Sequence, residues 1–200
     1  MSVLKITYLI VLATVASHRA IAQTADSDPI KAYMESVSPG NLLPDNSLLL
    51  GINGDSTFFH QLKGQWLLLD YWSTSCRPCI KEMPYLKELQ KRYQSKGLRI
   101  VMINLDKKEK KWKRGLKLYT PPGPNYTTNR SVSNAFFALN LVKMTSPDGE
   151  QSIVTLMPQY VLISPEGEII DKKMPKPSDP LFHEKLNQYM MRVSPERGNR

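Results

Sequence analysis

Apolar residues run continuously from Trp66 to Trp72 (W-L-L-L-D-Y-W), broken only by Asp70. A run of that length without alternation predicts a strand buried on both faces of a central sheet. From Ile80 to Lys96 the period changes. Met83, Leu86, Leu89 and Tyr93 recur at spacings of three and four, which predicts a helix, and Gly97 is placed to end it. Leu98 to Leu105 (L-R-I-V-M-I-N-L) then reads as the next strand. A strand–helix–strand order implies a right-handed crossover onto a parallel neighbour.

The flanking pattern is shorter-ranged. Leu48 to Leu50 and Ser56 to Phe59 predict a hairpin turning at Asn53–Gly54 or Gly54–Asp55, and Lys63–Gly64 is a further turn. Downstream, Lys107 to Leu118 reads as helical, Tyr119 to Asn129 as a proline-rich loop, and Ser131 to Val142 as a second helix. Ser146 to Glu150 is a turn. Ile153 to Leu156 and Gln159 to Ile163 read as extended. Pro165 to Gly167 turns the chain back into Glu168 to Asp171, and Asp179 or Pro180 opens a last helix ending near Arg192. Helices alternate with strands and a hairpin closes the sheet, so the expected class is an α/β sandwich with a mixed central sheet.

The first 22 residues carry a different signal. Lys5 precedes an apolar run of 11 residues, Ile6 to Ala16, and Ala20–Ile21–Ala22 offers a small-x-small cleavage pattern. A secretory signal over 1–22 is expected, with an uncleaved N-terminal anchor as the rival. Its removal lowers the formal charge from +9 to +7. Residues 23–41 are polar and read as a lead-in, 42–192 as one domain and 193–200 as a charged tail. At 200 residues, 41% hydrophobic and 22% charged, the chain is long and apolar enough to bury a core. Much of the positive charge lies in Lys107 to Arg114 (K-K-E-K-K-W-K-R). The run is short and holds one aromatic, so a solvated surface is expected rather than a nucleic-acid site.

Two cysteines, Cys76 and Cys79, are all the sequence has. The loop they close is too small to staple a fold, so their purpose is chemical. They fall where the buried strand hands over to the helix. A helix N-terminus presents free N–H groups and partial positive charge, both of which stabilise a thiolate. Cys76 is therefore the expected nucleophile and Cys79 the resolving thiol. Arg77 adds positive charge beside the thiolate, and Pro78 sits early in the helix, where its missing N–H costs little. A zinc site needs four ligands, and His60 and His183 lack paired spacing, so no metal is expected. Asp70 lies six residues before Cys76. Buried, its carboxyl would titrate high and could take or relay the Cys79 proton. Met157–Pro158 precedes a strand, where a cis bond can close a tight connection.

The segment Asp70 to Pro84 (D-Y-W-S-T-S-C-R-P-C-I-K-E-M-P) resembles the active-site segment of thioredoxin-fold proteins, and K-E-M-P is similar to the TlpA/ResA-like branch of exported bacterial oxidoreductases. The resemblance extends from about Leu42 to Tyr189. It implies a thioredoxin-like sandwich with an N-terminal hairpin and a central insertion. It also implies a redox-active Cys76–Cys79 disulfide with no other cofactor, and Asp70 as the buried acid. Pro158 would be the cis-proline beside the site, with the backbone of Met157 pairing with a bound peptide as an added strand. Trp72 matches the family's tryptophan beneath the site and, with Arg77 and Pro78, is grouped with the substrate-binding residues. The family usually has Trp before the first cysteine and Gly, Pro or Glu after it. Here Ser75 and Arg77 occupy those places.

The reading that follows is a monomeric reductase of disulfides in exported, periplasmic proteins, recharged by a membrane-bound donor. Its main rival is a DsbA-like oxidant or isomerase using the same residues, because the same motif spans about −270 to −120 mV. A peroxiredoxin would need a proline and threonine before its cysteine, and only Thr74 is present. A non-enzymatic thiol carrier is the remaining alternative.

Overall fold

A computed structural model describes residues 29–131 and 133–192. The expected signal sequence and charged tail lie outside them. Two compact units divide the chain, 1–32 and 33–200. Of the first, the described residues are 29–32, which open helix α1 (Pro29–Ser36).

The second unit is built on a seven-stranded sheet, in the order β2 (Ser56–Phe58), β1 (Leu48–Gly51), β5 (Asn125–Thr127), β4 (Leu98–Asn104), β3 (Trp66–Trp72), β8 (Gln159–Ile163), β9 (Ile169–Asp171). The hairpin β1 (Leu48–Gly51) and β2 (Ser56–Phe58) forms one edge. β3 (Trp66–Trp72) lies at the centre, buried along its whole length as its unbroken apolar run required. It pairs in parallel with β4 (Leu98–Asn104), reached through helix α2 (Arg77–Tyr93). Gly97, at φ +82°, turns the chain out of the short 3-10 segment that follows α2. β3 pairs antiparallel with β8 (Gln159–Ile163), which turns back into β9 (Ile169–Asp171). Helix α3 (Glu109–Tyr119) follows β4, and α5 (Pro180–Arg192) closes the described chain. No described helix is long and apolar enough to cross a membrane.

Alternation along β3 divides the core into two layers. Leu67, Leu69 and Tyr71 pack on one face with Phe59, Phe136 and Ile163. Trp66, Leu68 and Trp72 pack on the other with Cys79, Met83 and Leu86 of α2 and with Phe182 of α5. Asp70 has the even register of the second set, so its carboxylate enters the layer between the sheet and α2.

Three stretches differ from the pattern. The polar lead-in contains α1, and Val37 just beyond it is fully buried. The loop after α3 contains a three-residue strand, β5 (Asn125–Thr127), which joins the hairpin to β4. The helix expected over Ser131 to Val142 is only one turn, α4 (Ala135–Ala138), after which β6 (Leu141–Thr145) and β7 (Gln151–Thr155) form a separate hairpin. Asn134 starts that turn, its Oδ1 accepting from Phe136 N at 3.0 Å. Asn140 ends it, because its amide is needed elsewhere.

Candidate active site

Cys76 caps α2. Its Sγ accepts the Cys79 N–H at 3.2 Å, and its own N–H bonds Ser73 O at 3.1 Å. Arg77 and Pro78 fill the exposed first turn. The cysteines are joined as a disulfide, with Cα atoms 5.3 Å apart. Cys76 keeps 9% of its surface exposed and Cys79 none. Only the first sulfur can therefore be reached from outside. Cys79 Sγ lies 3.8 Å from Tyr71 O, against the strand that carries Asp70.

Asp70 is fully buried and, among the described residues, neither of its oxygens has a hydrogen-bond partner. Burial pushes its carboxyl well above the usual carboxylate range, and the charge of Glu82 pushes it further. Glu82 sits one turn beyond Cys79 on α2, 7% exposed, where its oxygens accept from Ser178 N at 3.0 Å and Ser178 Oγ at 2.7 Å. Opposite Asp70 stands Tyr160, whose hydroxyl is likewise buried and unpartnered. Burial, then the charges of Asp70 and Glu82, hold Tyr160 protonated far above the ordinary phenol range. A protonatable group thus waits in the dry layer that receives Cys79.

The loop carrying Cys76 is latched from the neighbouring strand. Thr74 N and Oγ1 donate to the two oxygens of Asp106 at 3.0 and 2.8 Å, and Asn104 Nδ2 donates to the same carboxylate at 3.0 Å. Trp72 is fully buried. Grouped through the resemblance with the substrate-binding residues, it lies in the layer that packs Cys76 and Cys79. Met157 is half-buried and packs against the cluster holding both cysteines, and the Met157–Pro158 bond is cis, as the resemblance implied. The segment before Pro158 is clamped by Asn140, whose Nδ2 donates to Leu156 O and to Gln159 Oε1, both at 2.7 Å. Gln159 Nε2 in turn donates to Leu139 O at 3.0 Å and Lys172 O at 3.1 Å.

Sequence reasoning thus reached Cys76, Cys79, Asp70, Met157 and Pro158, which the fold gathers at one end of β3, β8 and α2. It missed Glu82, Tyr160, the Asp106 latch and the Asn140–Gln159 clamp. A lone Asn in F-F-A-L-N-L-V was a signal for the clamp, since an amide inside an apolar run needs partners. Glu82 stood within the K-E-M-P stretch that carries the resemblance, but its pattern gave it no role apart from an ordinary helix-face acid. Among the described residues no three of His, Cys, Asp and Glu come together as a metal would need.

Known proteins share the family and the fold. A model of the family described as Redoxin matches residues 38–188. The thiol-disulfide oxidoreductase ResA of Bacillus subtilis is 29% identical over 160 residues, covering 78% of this chain and 78% of that protein. The thioredoxin domain of a thiol-disulfide oxidoreductase from Bacteroides vulgatus superposes with a TM-score of 0.60 at 20% identity, covering 76% of this chain and 98% of that one. A thiol:disulfide interchange protein from Bacteroides sp. gives a TM-score of 0.60 at 21% identity, over 82% of this chain and 97% of that one.

Proposed function

For a chain that belongs to the Redoxin family, and is a thiol–disulfide oxidoreductase of the thioredoxin type, we propose that the work done is reduction of disulfides in exported proteins. The observation that carries the exchange itself is the unequal placement of the two sulfurs: Cys76 at the helix cap with an N–H on its sulfur, Cys79 sealed behind it.

The Cys76 thiolate attacks one sulfur of the client disulfide. A Cys76–client S–S bond forms and the other client sulfur leaves as a thiolate. The N–H of Cys79 and the N-terminus of α2 hold the attacking charge until then. Cys79 then gives up its proton and attacks the Cys76 sulfur. The second client thiol is released, two electrons have passed to the client, and the Cys76–Cys79 disulfide remains. Asp70 takes the Cys79 proton, a role supported by its burial without a hydrogen-bond partner among the described residues. The Met157 backbone, before the cis bond, is the edge on which an extended client segment pairs. Resetting the disulfide requires a dithiol donor, proposed here to be membrane-bound. Export rests on the apolar segment Ile6 to Ala16 and the Ala20–Ile21–Ala22 site, with the periplasm as the expected compartment.

Arg77 favours a second reading. Exposed beside Cys76, its charge supports the thiolate, which makes a pair more oxidising. The reduction potential separates the two. A value near that of thioredoxin, about −270 mV, fits a reductase; one near that of DsbA, about −120 mV, means an oxidant.

A further inference from the structure

The basic run that the redox chemistry leaves unused borders the active site. A groove of about 450 Å³ opens beside the cysteine loop, with Ser73, Ser75 and Met157 at the redox end and Lys107, Lys108, Lys111 and Arg130 around the rest. The groove has one carboxylate, Asp106, and the Thr74 and Asn104 hydrogen bonds occupy it. Among the described residues none of the four cations is paired with an acid; the ion pair on this helix, Lys113–Glu109, involves neither Lys111 nor the loop before it. Arg130 is anchored, its guanidinium donating to Leu105 O, so its charge is held at the groove rather than free to drift.

The charge also continues past the loop. Lys111 and Arg114, three apart on α3, share one side of that helix. They line a second groove of about 220 Å³ that reaches Thr74 from the other direction. Trp112 and Gly115 bury the adjoining side of α3, while Lys111 and Arg114 stay exposed beside Thr74. The first turn of α3 has no side-chain cap on its N–H groups, which adds to the positive potential. Like charges held together at a reaction site select partners of opposite sign and speed their encounter.

We propose that this groove is a docking subsite for acidic side chains of the client segment that flanks the disulfide under attack. It rests on the reading of Cys76 as the client-facing nucleophile and deepens it by naming the chemistry of the client. A segment pairing along Met157 runs beside Lys107, Lys111 and Arg130, so Asp or Glu near the client cysteine meets a cation in place of water. Basic clients are repelled at the same place.

The test uses the full chain carrying Cys79→Ser. Probe peptides hold one cysteine as a 2-pyridyl disulfide, flanked by Asp, Ser or Lys. Capture forms the Cys76–peptide bond and releases 2-thiopyridone, whose absorbance gives the rate. The Asp probe is expected to react about tenfold faster than the Lys probe at low ionic strength, with Ser between, and high salt should collapse the ratio. Substituting Lys107, Lys108, Lys111 and Arg130 with Gln should also collapse it. Lys91→Gln with Lys96→Gln, exposed at the end of α2 far from Cys76, should not. The salt series needs no substitution in the groove and stands even if the fourfold variant folds poorly. Equal rates for the three probes overturn the proposal. So does equal capture joined to sedimentation with phosphatidylglycerol vesicles that the fourfold variant loses, which would give the basic rim to a membrane surface. Capture needs no reductive turnover, so charge-blind rates leave the reductase reading intact. An oxidising potential would remove that reading and leave a charge preference standing.

Discussion

Asp70 and Tyr160 face each other across the antiparallel pair β3–β8, both buried and, among the described residues, both without a hydrogen-bond partner for their side-chain oxygens. Two unsatisfied polar groups side by side in a dry layer cost stability. Their neighbour in that layer is Cys79, which must lose a proton during each turnover.

Asp70→Asn should stabilise the fold at alkaline pH. Burial raises the folded-state pKa of Asp70, while in the unfolded chain an aspartate titrates near ~3.9. Between those values the folded chain keeps a proton that the unfolded chain has released. Stability is therefore full at low pH and falls as pH rises through the folded-state pKa. Each unit of upward displacement corresponds to about 1.4 kcal/mol. Urea denaturation of the reduced proteins should show the variant more stable at pH 8 and the two forms converging toward pH 4. A variant less stable than its parent at pH 8 would contradict the assignment.

Glu82→Gln should lower the pH at which Asp70 ionises, because burial is joined by the Glu82 charge in raising it. The measurement is the pH profile of mixed-disulfide resolution by Cys79. Its acidic limb should move to lower pH in the variant and disappear in Asp70→Asn. An unmoved limb would show that Glu82 acts only through its two bonds to Ser178.

Cys76→Ser should abolish client exchange, whereas Cys79→Ser should accumulate a stable mixed disulfide. Only Cys76 has exposed surface, and only Cys79 sits behind it to resolve the bond. Non-reducing gels of each variant mixed with a disulfide client check this. Adducts formed equally well through Cys79 would reverse the assigned roles.

Gly115→Ala should disturb the cysteine loop from the α3 side. A Cβ there would lie 2.5 Å from Thr74 Cγ2 and 3.2 Å from the Trp72 ring. Overpacking of this kind costs about 1–3 kcal/mol. Adding Thr74→Ser removes the nearer methyl and keeps the hydroxyl that bonds Asp106. The double variant should recover part of the loss in thermal denaturation; additive losses would mean that the two residues do not meet.

The sequence by itself determined the parts whose cause is local. Seven apolar-rich residues without alternation suit a strand covered on both sides, and β3 is one. Cysteines three apart at a strand-to-helix boundary put one sulfur at the helix cap, whatever the rest of the chain does. The resemblance extended this to the cis bond before Pro158. What depended on distant partners was not legible. Ser131 to Val142 reads as one helix, yet the Phe136 carbonyl accepts the Tyr71 hydroxyl at 2.6 Å, the Asn140 side chain is taken by Leu156 and Gln159, and the helix is a single turn. Asn125 to Thr127 is a strand only because β4 and β1 offer edges on either side. Glu82 and Tyr160 became part of the site only when packing removed water and brought their charges and dipoles to Asp70. Lys107 to Arg114 is an ordinary basic run until the fold sets it beside Cys76. Local preference fixes period and caps, whereas burial, charge proximity and edge pairing exist only between segments that the folded chain has brought together.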